Sequence, residues 1–223
     1  MHVLISEKLY DTEFLLVHTV APFLVREDTG LFLRMSDLGV EPTKNGDTIV
    51  DPVAVWDPAT NAAVAVETVA EPALEGSFEV KGIRVRTAFD ALKAEAAKYP
   101  PETAGKLTEV DAGTIVELAR LAAGKQVMHL GGFGPQAFTN GVMCGHGMAT
   151  LAALTGNLGV SGSSAGVYFN WYEGINWGFS SPEGAVGGGP SVPFLVLRDV
   201  LQSGQFKGQP FPIKSMHIMN SNP

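Results

Sequence analysis

The alternation of apolar and polar positions changes period along this chain, and the clearest change lies between Val127 and Ala165. The apolar run from Val127 to Leu130 predicts a buried strand, and apolar positions at helical spacing from Thr139 to Leu154 predict a helix. Backbone N–H groups at such a junction suit phosphate or another anion, although many glycine turns are only tight connections. The turn matches neither the six-position dinucleotide fingerprint nor a Walker loop. Its members are Gly131, Gly132, Gly134, Pro135 and Gln136.

The first part of the chain, residues 1–86, combines short helices with a small β-rich module. Asp11 is placed to cap a helix, because the apolar positions that follow it have helical spacing. Between residues 31 and 86, short apolar runs separated by turn residues predict strands, including a hairpin at Lys81-Gly82. The polar stretch from Gly39 to Asp51 predicts an exposed loop. We assign this part to the tail of one α/β domain with a β-hairpin module.

Helices and strands alternate in the second part, residues 87–223, which is typical of α/β proteins with a parallel sheet. Thr87 and Asp111 are placed to cap two of these helices. A last strand is predicted from Ile213 to Met219. The predicted fold class is therefore α/β, with a doubly wound, mostly parallel sheet that has helices on both faces. In this interpretation the second part is most of a dinucleotide-binding-like domain.

Composition and charge exclude several classes of function. The formal net charge is −8 and no basic cluster is present, so nucleic acid and anionic membranes are not expected partners. No apolar run approaches the roughly 20 residues of a membrane span, and no signal peptide opens the chain. The compartment is left open between cytoplasm and periplasm. Cys144 is the single cysteine, which excludes an internal disulfide and an iron–sulfur cluster held by this chain alone.

Residue types alone do not provide a complete catalytic set. His129 lies in the apolar strand before the glycine turn, where a satisfied core histidine is the ordinary interpretation and a base the alternative. Cys144 and His146 are two positions apart on the predicted helix, so they face different directions and lack the further ligands of a metal site. No metal ligand is assigned. Asn222 and Pro223 form a turn signal at a strand end, where ligands also bind in doubly wound sheets.

Both ends of the chain interrupt a predicted element. The chain opens inside the apolar helical run from Met1 to Ile5 without a cap, and it ends where a buried strand reaches its turn. We therefore expect a segment of a longer protein, truncated at the C-terminal side. Expressed alone, it is expected to be poorly soluble or to seek a partner, because its ends expose apolar strands.

Motifs distributed over nearly the whole chain resemble one enzyme family. Residues Ala152 to Gly162 read AALTGNLGVSG, which is similar to the pattern L-T-G-N-I-G-x-x-G. The stretches Leu9 to Phe14, Thr87 to Lys93 and the terminal Asn222-Pro223 match further motifs in the same order. Together these features resemble the molybdopterin-dependent oxidoreductases of the dimethyl sulfoxide reductase superfamily. The region from Val20 to Gly82 resembles members near acetylene hydratase.

The resemblance implies a central fragment of a catalytic subunit that is several times longer. Members of the family bind molybdenum or tungsten through bis(molybdopterin guanine dinucleotide), and an N-terminal domain often carries an iron–sulfur cluster. Their metal ligand precedes the matching region, so the isolated chain is expected to be inactive. The implied partners are an iron–sulfur electron-transfer subunit and the remaining N- and C-terminal parts of the catalytic subunit. The implied setting is anaerobic metabolism.

The resemblance also implies cofactor contacts for particular residues. The turn at Gly131, Gly132 and Gln136 is similar to the family's M-G-x-x-Q turn, which touches the pterin dinucleotide; here Gly131 replaces the Met and one more residue precedes Gln136. Asn222 matches the Asn of an N-P turn that lies near a guanosine diphosphate group. Small residues let backbone N–H groups approach phosphate, and amide side chains read guanine or ribose. The aromatic-rich stretch from Tyr168 to Phe179 either lines the substrate funnel or packs against other domains.

Two other functions are alternatives to this one. The first is a cofactor-free binding or assembly module that keeps the fold, and the second is an unrelated nucleotide-binding α/β domain. Flanking coding sequence with Cys-x-x-Cys spacing upstream and a pterin-binding domain downstream would favour the enzyme. The sequence does not determine the substrate, the choice of metal or the oligomeric state.

Overall fold

The computed structural model describes residues 1–131, 134, 138–167 and 192–214, and the structural statements below concern these residues. The chain divides into two compact units, Met1–Phe169 and Asn170–Pro223. The helices are α1 (His2–Ser6), α2 (Thr12–His18), α3 (Ala88–Ala96), α4 (Pro101–Thr108), α5 (Ala112–Ala123), α6 (Gly141–Leu154) and α7 (Leu197–Ser203). The strands are β1 (Leu24–Arg26), β2 (Thr43–Asn45), β3 (Thr48–Val50), β4 (Ala54–Asp57), β5 (Ala62–Ala65), β6 (Ser77–Val80), β7 (Ile83–Thr87), β8 (Met128–Gly131), β9 (Ser164–Val167), β10 (Gln205–Phe206) and β11 (Gln209–Pro210). This composition confirms the mixed α/β class.

Three helices begin at the residues predicted to cap them. The side chains of Asp11, Thr87 and Asp111 each accept a hydrogen bond from the backbone N–H three residues later, at 2.8, 3.1 and 3.0 Å respectively. Each bond satisfies one of the N–H groups that the start of a helix leaves open. Local sequence therefore decides where α2, α3 and α5 begin.

One hydrophobic core joins α1, α2 and α3 with the end of α6. Phe89 of α3 and Leu4 of α1 are each 1% exposed, and Leu154 at the end of α6 is fully buried. The ring of Tyr10 packs on Phe89 with the two centroids 5.0 Å apart. This core combines elements from both sides of residue 86, and the predicted domain boundary there stays a prediction.

A curled antiparallel sheet forms the β-rich module. Its order is β6, β7, β1, then residues 32–34 through isolated bridges, then β4 and β5. Trp56 of β4 stacks on Phe78 of β6, with the ring centroids 4.0 Å apart and the planes at 9°. This contact joins strands that are not neighbours, so the sheet bends round its own core. The residues that fill this core are Leu24, Leu33, Leu38, Ala54 and Val85.

The polar stretch from Gly39 to Asp51 contains a hairpin. Strand β2 pairs with β3, and Asn45 lies opposite Thr48 across the two-residue turn Gly46-Asp47. Both strands are mostly exposed, so the predicted exposure is confirmed and the predicted loop is wrong. A prediction based on the alternation of apolar and polar residues misses strands that have no buried apolar face. In this hairpin the turn residues Gly46-Asp47 were the available indication.

The predicted strand–turn–helix unit is present. Strand β8 runs parallel to β9, with Gly131 opposite Val167, and α6 connects the two strands and packs on both. Within the described ranges this is the one parallel pair, so the wider doubly wound sheet stays a prediction. Ile213 and Lys214 are not in a strand, and the remainder of the last predicted strand lies outside the described residues.

In the second unit, α7 ends at Gly204, whose φ of +65° is a left-handed conformation that glycine adopts readily. Strands β10 and β11 follow as a short hairpin. Among the helices of the described ranges, none has the length and apolar character needed to cross a membrane.

The carboxylate of Glu75 ties the start of the chain to α3. It accepts hydrogen bonds from the Tyr10 hydroxyl at 3.0 Å and from the Lys93 ammonium. The bond from Lys93, and after it the bond from Tyr10, holds the pKa of Glu75 below its ordinary value of 4.5. A carboxyl whose pKa is lowered by folding stabilises the protein above its unfolded pKa, and this contribution disappears as the pH falls through the folded pKa.

We expect Glu75→Gln to lower the melting temperature at neutral pH and to leave it unchanged in acid below the folded pKa. Both charged groups are more than a third exposed, so the expected loss of stability is below about 1 kcal/mol. Thermal unfolding followed by circular dichroism measures both conditions. Glu71→Gln is the control, because Glu71 is exposed and has no ion pair within the described residues. Equal losses at both pH values would contradict the assignment.

Candidate cofactor-binding site

The glycine-rich turn leaves the parallel strand pair at its carboxyl end. Gly131 is the last residue of β8 and lies opposite Val167, the last residue of β9. Ligands of open α/β sheets bind beyond the carboxyl ends of the strands, so the turn lies at the edge where a ligand is expected. Gly132, Gln136 and Asn222 lie outside the described residues, and their contacts with a cofactor stay predictions.

Gly131 lies under the tip of the Met148 side chain of α6. A Cβ at this position would lie 2.5 Å from Cε and 3.2 Å from Sδ of Met148. These atoms are the far end of a flexible side chain, so an added Cβ would displace the tip of Met148 and not the helix. The predicted cofactor contact of Gly131 is neither required nor excluded by this packing.

The N-terminus of α6 has no side-chain cap. Asn140 occupies the capping position, and its side chain makes no capping hydrogen bond. Phe138 and Val142 on either side of it are 75% and 71% exposed. Two N–H groups of the first turn of α6 are already paired, because Gly141 donates to the carbonyl of Phe138 at 2.9 Å and Met143 donates to that of Asn140 at 3.0 Å. An anion at this end would therefore meet mainly the positive end of the helix dipole, and the contact of the glycine turn with a dinucleotide stays a prediction.

His129 shares a face of β8 with Gly131, because side chains two positions apart on a strand point the same way. Its buried ring nitrogen Nε2 has no hydrogen-bond partner in the part of the chain that the structure describes. Because residues of the neighbouring turn lie outside the described ranges, the satisfied core histidine stays a prediction. The opposite face of β8 carries Met128 and Leu130, each 61% exposed, so the predicted burial of this strand is wrong for that face.

Asn157, in the T-G-N motif, ties the end of α6 to the start of β8. It is 3% exposed, and its Oδ1 accepts the backbone N–H of Val127 at 3.0 Å. Its Nδ2 donates to Oγ1 of Thr155 at 2.8 Å, and its backbone N–H donates to the carbonyl of Ala152 at 2.8 Å. Analysis of residue types did not single out Asn157, because a partner 30 residues earlier leaves no local signature. The Thr-Gly-Asn end of the helix was the available signal.

Gly156, in the same motif, contacts the capping residue of α2. Its φ is +64°, and an added Cβ would lie 2.4 Å from Oδ2, 3.1 Å from Cγ and 3.2 Å from Cβ of Asp11. The backbone N–H of Asp11 also donates to the carbonyl of Leu154 at 2.8 Å. The L-Y-D and T-G-N motifs, far apart in the sequence, therefore meet at one joint that holds the end of α6.

The remaining candidates do not assemble a metal site. Cys144 is exposed, whereas a lone cysteine is commonly a small buried side chain. It lies on α6 with His146, two positions further on. Within the described ranges, no group of three or more His, Cys, Asp or Glu side chains is placed to hold a metal ion. No metal ligand was predicted for this chain.

Comparison with known proteins gives related enzyme subunits. The chain is 36% identical over 186 residues to the alpha subunit of dimethylsulfide dehydrogenase from Rhodovulum sulfidophilum, a match that covers 78% of this chain and 20% of that protein. It is 33% identical to the alpha subunit of chlorate reductase from Ideonella dechloratans, over 77% of this chain and 20% of that protein. It is 31% identical, along its whole length, to a putative dimethyl sulfoxide reductase catalytic subunit of Halobacterium salinarum, of which it covers 26%. No protein-family model matches the chain.

These relatives are catalytic alpha subunits of molybdoenzymes, and the chain belongs to the dimethyl sulfoxide reductase family. The resemblance drawn from the sequence motifs is thereby confirmed. The chain spans about one fifth of the length of the first two relatives. The closer resemblance of Val20 to Gly82 to acetylene hydratase-like members stays a prediction.

Proposed function

We propose that this chain is a central part of the catalytic subunit of a molybdenum or tungsten oxidoreductase and contributes to its bis(molybdopterin guanine dinucleotide) site. The observation that carries the proposal is the β8–turn–α6 unit, in which a parallel strand pair ends at Gly131 and the helix that follows has no side-chain cap at its N-terminus. In this proposal Gly131 and Gly132 let the backbone approach the dinucleotide, while Gln136 and Asn222 supply amide contacts. Identity with alpha subunits over most of the chain supports the same assignment.

The proposal extends to the architecture around this unit. The β8–β9 pair is the start of a doubly wound parallel sheet, residues 87–223 are most of a dinucleotide-binding-like domain, and residues 1–86 are the tail of the preceding one. The metal ligand and an iron–sulfur cluster come from other parts of the same polypeptide, and a separate iron–sulfur subunit exchanges electrons with it. The bound metal would transfer an oxygen atom, a hydride equivalent or electrons, or support a hydration. This chain's own part is to bind and orient the dinucleotide.

A test is to tag the gene in its native host, purify the protein and measure its metal and nucleotide content. We expect molybdenum or tungsten by elemental mass spectrometry and a pair of guanine nucleotides per metal on acid release. Asn222→Ala and Gln136→Ala are expected to lower the nucleotide content. Asn45→Ala is the control, because Asn45 is exposed and lies on β2, outside the β8–turn–α6 unit. Absence of metal and nucleotide from the native protein would favour a non-catalytic module that keeps the fold.

A further inference from the structure

The curled sheet of the β-rich module is open between its first and last strands, β6 and β5. A groove of about 390 Å³ lies there, and residues of both edge strands line it. Ala63 of β5 forms one wall, Glu79 and Val80 of β6 form the other, and Trp56 contributes apolar surface. The groove thus lies beside two strand edges, and an unpaired edge is a template for pairing with a further strand.

The edge of β5 presents free backbone groups to this groove. On β4, the N–H of Ala54 donates to Leu33 at 2.8 Å and the carbonyl of Trp56 accepts from Ala73 at 2.9 Å, so both point away from β5. Hydrogen-bonded and non-hydrogen-bonded pairs alternate in an antiparallel ladder. The cross-strand partner of Trp56 is Ala63, whose N–H and carbonyl therefore point outward.

The edge of β6 presents free groups in the same way. The carbonyl of Arg84 on β7 accepts from the N–H of Glu27 at 3.0 Å, on the side away from β6. Its partner across the ladder is Glu79, whose N–H and carbonyl therefore point into the open edge. Within the described residues, no segment pairs with either edge.

The charges at the groove favour an incoming strand with basic side chains. The carboxylate of Glu79 is exposed and has no ion pair within the described residues. The ammonium of Lys81, also at the groove, donates to the carbonyl of Leu38 and is directed at the protein itself. The chain as a whole carries a net charge of −8, which favours a cationic partner.

We propose that this groove binds an extended strand of a separate polypeptide by β-addition, with a basic side chain of the partner placed against Glu79. The backbone of the incoming strand pairs with the outward N–H and carbonyl of Ala63. Its apolar side chains lie over Trp56, where the small side chain of Ala63 leaves room. This interaction surface is independent of the cofactor site.

The test uses the full chain and a short fluorescein-labelled peptide of alternating valine and lysine, with binding followed by fluorescence anisotropy. Ala63→Pro removes an outward N–H and leaves the ladder with β4 intact, since proline is tolerated at strand edges. We expect it to weaken binding by about tenfold or more. A peptide of alternating valine and glutamate, and a backbone N-methylated copy of the first peptide, are expected not to bind.

Two charge-reversal variants distinguish binding at a specific site from non-specific electrostatic attraction. Glu79→Lys and Glu71→Lys change the net charge equally, and only Glu79 lines the groove. We expect Glu79→Lys to abolish peptide binding and Glu71→Lys to preserve most of it. Equal losses in the two variants would overturn the proposal, as would binding unaffected by Ala63→Pro. A dimer without peptide that Ala63→Pro dissociates would also overturn it, by assigning the open edges to a second copy.

Discussion

Replacement of Asn157 by alanine is expected to lower the free energy of unfolding by about 3 kcal/mol. The variant loses the acceptor for the N–H of Val127 and the donor to Thr155, at a position that is 3% exposed. A buried backbone N–H left without a partner costs about 1–3 kcal/mol, and the lost amide packing adds to this. Because Asn157 joins the end of α6 to the start of β8, the packing of β8 on α6 is expected to loosen as well.

Urea unfolding followed by circular dichroism measures the change, and Asn140→Ala is the matched control. Asn140 lies at the opposite end of the same helix, is exposed, and makes no capping hydrogen bond with its side chain. Its replacement is expected to change stability by less than about 0.5 kcal/mol. If the two variants unfold at the same urea concentration, the tie between α6 and β8 does not stabilise the protein.

Replacement of Gly156 by alanine is expected to cost about 3 kcal/mol through two separable effects. A residue with a side chain pays about 1–2 kcal/mol for the left-handed conformation at φ +64°. The added Cβ would also lie 2.4 Å from Oδ2 and 3.2 Å from Cβ of Asp11, so the carboxylate must turn away and the Asp11 Cβ must shift by a few tenths of an ångström. If Asp11 moves, its cap on Phe14, measured at 2.8 Å, is weakened by about 1 kcal/mol.

Gly159→Ala isolates the first of these effects. Gly159 has a similar φ of +75°, and a Cβ added there meets no heavy atom within 4 Å. This variant is expected to cost only about 1 kcal/mol. Thermal unfolding of both variants gives the comparison. Equal costs would mean that the contact between Gly156 and Asp11 adds nothing, and that the joint between the two motifs is not close-packed in solution.

The helix starts could be predicted because the groups that determine them are close in sequence. Asp11, Thr87 and Asp111 each bond an N–H three residues later, and this pattern is visible in the sequence alone. The same holds for the turn at Lys81-Gly82, whose flanking strands pair as predicted. The exposed hairpin within Gly39 to Asp51 was missed because its strands have no apolar face.

In the candidate site, too, only the features that depend on consecutive residues could be predicted. The order of strand, glycine turn and helix was predictable, since the periodicity changes over consecutive residues. The bond between Asn157 and Val127 and the packing of Met148 on Gly131 were not predictable. Nor was the lack of a partner for Nε2 of His129 among the described residues. Each depends on how α6 lies against β8, which no single stretch of sequence specifies.

The sequence by itself determined the family, the α/β class, and the starts of α2, α3 and α5, because motifs and caps are local or ordered along the chain. Only the tertiary structure decided what the T-G-N motif does, namely to hold the end of α6 against Asp11 on one side and against Val127 on the other. It also decided that the β-rich module is left open between β5 and β6, since strand edges are defined by neighbours that lie far apart in sequence. Periodicity shows which residues share a face, and only packing shows which faces meet.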